Sequence, residues 1–162
     1  RRYCGGGMGV DVRFQTGSKR FYYRAAGILI EQDHVLLHKQ VGDDYWALPG
    51  GRVELGEQAR DTVVREMKEE LGYDVNVAHT PWVAENFFHY DGHDYHELGF
   101  YCTLISHQSY FQKGPFHGLE GERLIYQWVP ITELNEIVVQ PEFLAAGLQN
   151  PPKHTEHVVV EK

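Results

Sequence analysis

Cysteine is nearly missing from this chain. Among 162 residues only Cys4 and Cys102 occur, and they form no CxxC pair. Neither a disulfide framework nor a zinc site is therefore indicated, and a reducing, cytoplasmic setting is expected. Long apolar runs are missing too: none approaches the roughly 18 residues of a membrane span, and no signal peptide is visible, so no membrane partner is expected. Positive charge is scarce, with 15 Lys and Arg against 23 Asp and Glu and a formal net charge of -8. Binding to a nucleic acid polymer rests on clustered Lys and Arg, so DNA and RNA are not expected partners. A small metal-chelated polyphosphate is not excluded by that argument, because the metal itself carries the positive charge. Ten histidines are scattered along the chain. His93 and His96 flank an Asp-Tyr pair but read as solvated turn and strand residues rather than ligands.

What is present fits one domain with a substantial core, over residues 10–162. Residues 1–9 contain Gly5-Gly6-Gly7 and read as a flexible segment, with Met8 as the native start and the preceding residues a cloning remnant. Val10, Val12 and Phe14 alternate, residues 16–18 turn, and residues 21–30 are rich in aromatic and aliphatic side chains, which predicts a hairpin. A short buried strand is expected at residues 35–37. After the helix described below, strands are expected at 74–77, 82–90, 95–105 and 123–129, with a turn at 91–94. The long connection at 106–122 is of the kind that is functional or mobile. A helical turn is expected from Pro130 and a helix over 141–148 with Pro141 in its first position. Residues 158–160 read either as an edge strand or as a frayed end. No internal repeat is visible.

The dominant feature is residues 51–73, where a glycine-rich turn enters an acidic amphipathic helix. Ala59, Val63, Met67 and Leu71 recur every four positions, with Val64 alongside, so one stripe faces a core. Gly72 is placed to end the helix. Glu66, Glu69 and Glu70 share a face beside that stripe. Like charges at such spacing repel and raise one another's pKa, so a cation is expected among them. All-carboxylate ligation suits a hard divalent ion, Mg²⁺ or Mn²⁺, which keeps waters and takes further ligands from phosphates. The plain alternative is a solvated acidic helix face.

The spacing reads Gly51, five residues, Glu57, seven residues, Arg65-Glu66-Met67, one residue, Glu69-Glu70, one residue, Gly72-Tyr73. It resembles the Nudix box of the Nudix hydrolase family. Leu48-Pro49-Gly50-Gly51 before it and Trp128-Val129-Pro130 after it extend the likeness. The resemblance implies an α/β/α sandwich with a mixed β-sheet. It also implies a divalent-metal-dependent hydrolase of a nucleoside diphosphate linked to another moiety, acting on a small nucleotide-like molecule with Mg²⁺ or Mn²⁺. By the same resemblance, Glu66 and Glu70 are metal ligands, Glu69 is a ligand or the base that takes a water's proton, and the Gly51 carbonyl completes the metal shell. Glu57 bends in at the helix entrance. Glu122, six residues before Trp128, is expected as a further ligand or base. Arg65 stands four residues before Glu69, and its fork can hold a carboxylate in one rotamer. Arg52 is a candidate phosphate contact, and Phe87 and Tyr90 are candidate surfaces for a nucleobase. The alternative function is a catalytically silent Nudix domain that binds a nucleotide as a sensor, although such domains tend to lose box glutamates and none is missing here. A homodimer is left open.

Overall fold

Successive strand residues point to opposite sides of a sheet, and the run from Tyr23 to Ile28 uses that alternation to serve two cores at once. The computed structural model describes residues 9–161, so the glycine-rich start and Met8 lie outside the described residues. In chain order the elements are β1 (Arg13–Thr16), β2 (Lys19–Ile28), β3 (Ile30–Glu31), β4 (His34–Gln40), β5 (Gly50–Arg52), α1 (Ala59–Leu71), β6 (Asn76–Tyr90), β7 (His93–Ile105), β8 (Leu124–Pro130), a 3-10 turn (Ile131–Glu136), α2 (Phe143–Gly147) and β9 (Glu156–Glu161). A six-stranded mixed sheet runs in the order β1-β2-β7-β6-β9, with β5 added antiparallel to β2. A second sheet pairs β3, β4 and β8. The β2–β7 and β6–β9 pairs are parallel, and the others in the large sheet are antiparallel.

Ala25, Leu36, Cys102, Tyr126 and Trp128 pack with Val63, Met67 and Leu71 of α1. Their sequence neighbours or near neighbours Ala26, Val35, Leu37, Tyr101 and Val129 pack instead with Leu134 of the 3-10 turn and with Leu144 and Leu148 of the α2 region. One helix therefore covers each face, giving the α/β/α sandwich. Among the described residues no helix is long and apolar enough to cross a membrane.

Several sequence expectations are corrected here. The strands expected at 74–77 and 82–90 are one long β6, and Pro81 is buried within it rather than ending it. Register shifts between Val77 and His79 and between His79 and Trp82 give the proline a place where no ladder N–H is required. The hairpin turn is tighter than expected. Asp91 and Gly92 both have positive φ, 51° and 77°, so β7 begins at His93 in the two-residue form that matches strand twist. Gly50 and Gly51 belong to a short strand rather than a turn. A Cβ on Gly50 would lie 2.1 Å from the Ala25 carbonyl oxygen, and that close approach is why glycine stands there. The last helix is shorter than expected, with Pro141 two residues before its start. Residues 158–160 form part of β9.

Candidate active site

Helix α1 forms because its apolar stripe meets the sheet, and it stops because Gly72 takes the left-handed conformation at φ 74°. The Gly72 N–H then reaches the Lys68 carbonyl at 2.9 Å and the Tyr73 N–H reaches that of Met67 at 3.2 Å. At about 100° per residue, Glu66 and Glu70 are about 40° apart at the edge of the buried stripe, while Glu69 is rotated back toward Arg65. The structure follows this division. Glu66 and Glu70 are buried at 5% and 9% exposure, and Glu69 instead meets Arg65.

The Glu66 carboxylate lies over β5. A Cβ on Gly51 would fall 2.2 Å from Glu66 Oε2, so only glycine leaves that carboxylate room. Glu70 lies one turn on and accepts a hydrogen bond from the Tyr126 hydroxyl at 2.8 Å. Burial and the adjacent Glu66 charge push the Glu70 carboxyl up to about 8, against the smaller lowering effects of Tyr126 and Arg24. Two acids held this closely, away from water, make it costly to ionise both.

Arg65 is inside the acidic cluster. Its Nε donates to Glu57 Oε2 at 2.8 Å and its Nη2 to Glu57 Oε1 at 3.0 Å. Its Nη1 donates to Glu66 Oε2 at 3.2 Å and Glu69 Oε1 at 3.3 Å, and Nη2 also reaches the Arg52 carbonyl at 3.3 Å. Glu57 stands just before the N-cap, Gln58. It also accepts from the Thr62 hydroxyl at 2.6 Å and the Glu54 N–H at 3.1 Å. Burial opposes the Glu57 charge, but the donors from Arg65, Thr62 and Glu54 outweigh it and hold the carboxyl near 2. With both oxygens occupied by donors, Glu57 fixes Arg65, and Arg65 in turn grips Glu66 and Glu69.

The expected convergence of three carboxylates is thus narrower in the structure. Among the described residues no group of three or more His, Cys, Asp or Glu side chains is gathered to hold a metal ion, and the close pair is Glu66 with Glu70. That pair still fits a magnesium-like ion, which keeps several waters and binds through one or two carboxylates plus phosphate oxygens. The glycine cradle over which Glu66 sits and the raised Glu70 carboxyl both fit a cation there.

The other expected site residues are spread more widely. Glu120 and Glu122 are both exposed, and of the two Glu120 lines a small recess with Glu70, Gly118, Arg123 and Tyr126. The Arg52 guanidinium stacks 4.1 Å over the Tyr22 ring and lies 3.6 Å from Asp11, on the sheet face away from α1. Phe87 packs on His96 with ring centroids 4.5 Å apart, and Tyr90 is 40% exposed at the strand end. Being odd and even residues of one strand, Phe87 and Tyr90 point to opposite faces and do not serve one ligand face together. The face carrying Tyr90 and Arg52 also holds Tyr22, Arg24, Asn86 and Glu97. Burial raises the Glu97 carboxyl, opposed by Arg24 and by a hydrogen bond from Asn86. Arg24 donates to the Leu48 carbonyl at 2.9 Å, and its charge acts on both Glu70 and Glu97.

Sequence reasoning missed Thr62 and Tyr126. Tyr126 shares strand parity with Trp128, so its inward direction was readable, but its partner lies 56 residues away.

A family model described as the NUDIX domain matches residues 21–147. An RNA pyrophosphohydrolase from Ruthia magnifica subsp. Calyptogena magnifica is 40% identical over 79 residues, covering 46% of this chain and 43% of that protein. An ADP-ribose pyrophosphatase from Methanocaldococcus jannaschii is 45% identical over 49 residues, covering 28% of this chain and 29% of that protein. The chain therefore spans less than half the length of these curated relatives. A NUDIX hydrolase from Nitrosomonas europaea superposes with a TM-score of 0.58 at 20% identity, over 87% of this chain and 79% of that one. A MutT protein from Bacillus halodurans superposes with a TM-score of 0.57 at 20% identity, over 84% and 89%. At that identity the two structures speak to the fold alone.

Proposed function

The chain belongs to the Nudix family, and from that premise we propose that it is a divalent-metal-dependent hydrolase of a nucleoside diphosphate linked to another moiety. Water attacks phosphorus, the phosphoanhydride breaks, and both products keep a phosphate. The observation that carries this reading is the buried Glu66 and Glu70 pair beside Gly51, with one carboxyl pushed up to about 8. Bound there, Mg²⁺ or Mn²⁺ would neutralise phosphate charge and lower the pKa of a water. Glu66, Glu70 and the Gly51 carbonyl are the groups that would hold the ion. Glu69, steadied by Arg65, takes the proton from the attacking water, and Glu57 acts through Arg65 rather than on the substrate. Glu120, beside Glu70, is better placed than Glu122 for a further ligand or base. Arg24 shares its sheet face with Tyr22, Arg52, Asn86 and Glu97 while its charge reaches Glu70, which supports that face as the one that receives the organic part of the substrate.

The test is incubation with Mg²⁺ and a panel of dNTPs, ADP-ribose, dinucleoside polyphosphates and nucleotide sugars, with products separated by chromatography. Turnover of at least one compound, abolished by Glu70→Gln and reduced strongly by Glu69→Gln, is expected. The contact of Arg65 with Glu66 favours a second reading, a silent nucleotide sensor in which that cation stays in place of a metal. Tight binding of a panel member with no turnover of any would establish the sensor and refute the hydrolase.

A further inference from the structure

Outside the acidic helix, one side chain touches the carboxylate pair from the second sheet. Tyr126 of β8 is 2% exposed, and its hydroxyl donates to Glu70 Oε1 at 2.8 Å. Behind it, residues 106–121 are fastened down rather than loose. Phe116 exchanges backbone hydrogen bonds with Tyr126 at 2.9 and 2.8 Å, and the Leu119 N–H donates to the Glu70 carbonyl at 2.7 Å. Phe116 also stacks on the Tyr126 ring, with centroids 5.8 Å apart. Gly118 lets the chain pass this close, since a Cβ there would lie 2.4 Å from the Glu70 carbonyl oxygen and 3.1 Å from Tyr126 Cε1. The same residue, Glu70, is thus held through its backbone by the loop and through its side chain by the strand the loop backs.

We infer that Tyr126 is a positioning residue for Glu70: its hydroxyl occupies Oε1 and fixes the carboxylate rotamer so that the remaining oxygen is presented for a divalent ion alongside Glu66. This rests on the metal-dependent reading above. A carboxylate with three rotatable bonds loses freedom on binding an ion, and a fixed partner removes that loss beforehand. Partners behind metal ligands commonly carry tenfold or greater effects on affinity. If the hydroxyl only satisfied its own hydrogen-bonding need in a buried place, removing it would disturb packing and stability but not ion affinity specifically.

The experiment measures Mn²⁺ binding to the full chain by counting free Mn²⁺ in EPR, with no substrate present. Tyr126→Phe keeps the ring and its packing, and near-UV circular dichroism confirms the fold. Wild type is expected to bind Mn²⁺, and Tyr126→Phe to bind it about tenfold more weakly. Tyr110→Phe is the loop control. It removes a hydroxyl that accepts from the Asp74 N–H at 2.9 Å, away from the acidic pair, and should leave Mn²⁺ affinity unchanged. In a Glu70→Gln background, Tyr126→Phe should have no further effect, the signature of action through Glu70. The cycle also stands if the single variant is less stable, because a general loss of fold would lower affinity in both backgrounds. Wild-type affinity in Tyr126→Phe, or an equal loss in both backgrounds, overturns the inference and leaves the metal-dependent hydrolase standing. Failure of wild type to bind Mn²⁺ overturns both.

Discussion

Replacing Arg65 with lysine tests the idea that a fork, not a charge, organises the acidic helix. The guanidinium makes paired bonds to Glu57 at 2.8 and 3.0 Å while a third nitrogen holds Glu66 and Glu69 at 3.2 and 3.3 Å. Lysine keeps the positive charge but concentrates it at one nitrogen, so it cannot serve Glu57 in paired fashion and reach the other two carboxylates. Two acceptors lose the donor that Arg65 gives them. A deprived buried acceptor costs about 1 to 3 kcal/mol, and since these side chains retain 16 to 22% exposure at Glu57, Glu69 and Arg65, the lower end applies. The expected loss is about 2 kcal/mol in all, which for a chain of this size lowers Tm by about 4 to 8 °C. An ordinary surface pair one helical turn apart would contribute only about 0.2 to 0.5 kcal/mol. Urea titration and calorimetry read the stability, and steady-state kinetics on the best panel substrate should show kcat down by about tenfold or more, because Glu69 and Glu66 lose their common anchor. Stability within about 0.5 kcal/mol of wild type, together with near-normal kcat, would refute the reasoning.

Three further outcomes are expected. Gly51→Ala puts a methyl group 2.2 Å from Glu66 Oε2; the carboxylate must move, so Mn²⁺ affinity by EPR should fall by about tenfold or more with the fold retained. Gly50→Ala drives a Cβ against the Ala25 carbonyl at 2.1 Å, and because backbone cannot swing aside it should destabilise by about 1 to 3 kcal/mol in urea titration. The Glu70 carboxyl, raised from 4.5 to about 8, sets a pH trend for the metal-free protein. The folded state resists ionisation that the unfolded chain accepts, so this group's effect is most favourable below about pH 4.5 and is lost as pH rises toward 8. Thermal melts across that window should show the decline, and saturating Mg²⁺ should reverse it; a flat profile in chelator would count against the buried pair.

How much of this was readable in the chain depended on how local each signal is. Helix α1 runs from Ala59 to Leu71, the span of the apolar repeat read from the sequence, because periodicity and a terminal glycine act within one or two turns. The single long β6, where two strands at 74–77 and 82–90 were expected, was hidden for the opposite reason. A proline normally ends a strand, and only the register shifts made with β7 show why β6 continues through it. The expectation of Glu122 rested on counting back from Trp128, and since β8 begins only at Leu124, Glu122 falls outside the regular strand over which such a count carries direction. For Arg65 the helical partner Glu69 was legible from spacing. Glu57, its better-bonded partner, lies in the preceding loop, where spacing carries no direction. The bond from Tyr126 to Glu70 joins the second sheet to helix α1 and could not be read from either segment alone.

The parallel pairing of β2 with β7 joins residues 75 positions apart, from Lys19 with Asp94 to Ile28 with Thr103. Everything between, including the whole acidic helix, is carried on the intervening excursion. During synthesis that helix leaves the ribosome before its floor is complete, since Ala25, Leu36 and Val53 precede it but Phe100, Cys102 and Leu104 of β7 lie on the later side. High contact order of this sort slows folding, and the emerging helix must wait, its apolar stripe only partly covered, for a strand not yet made.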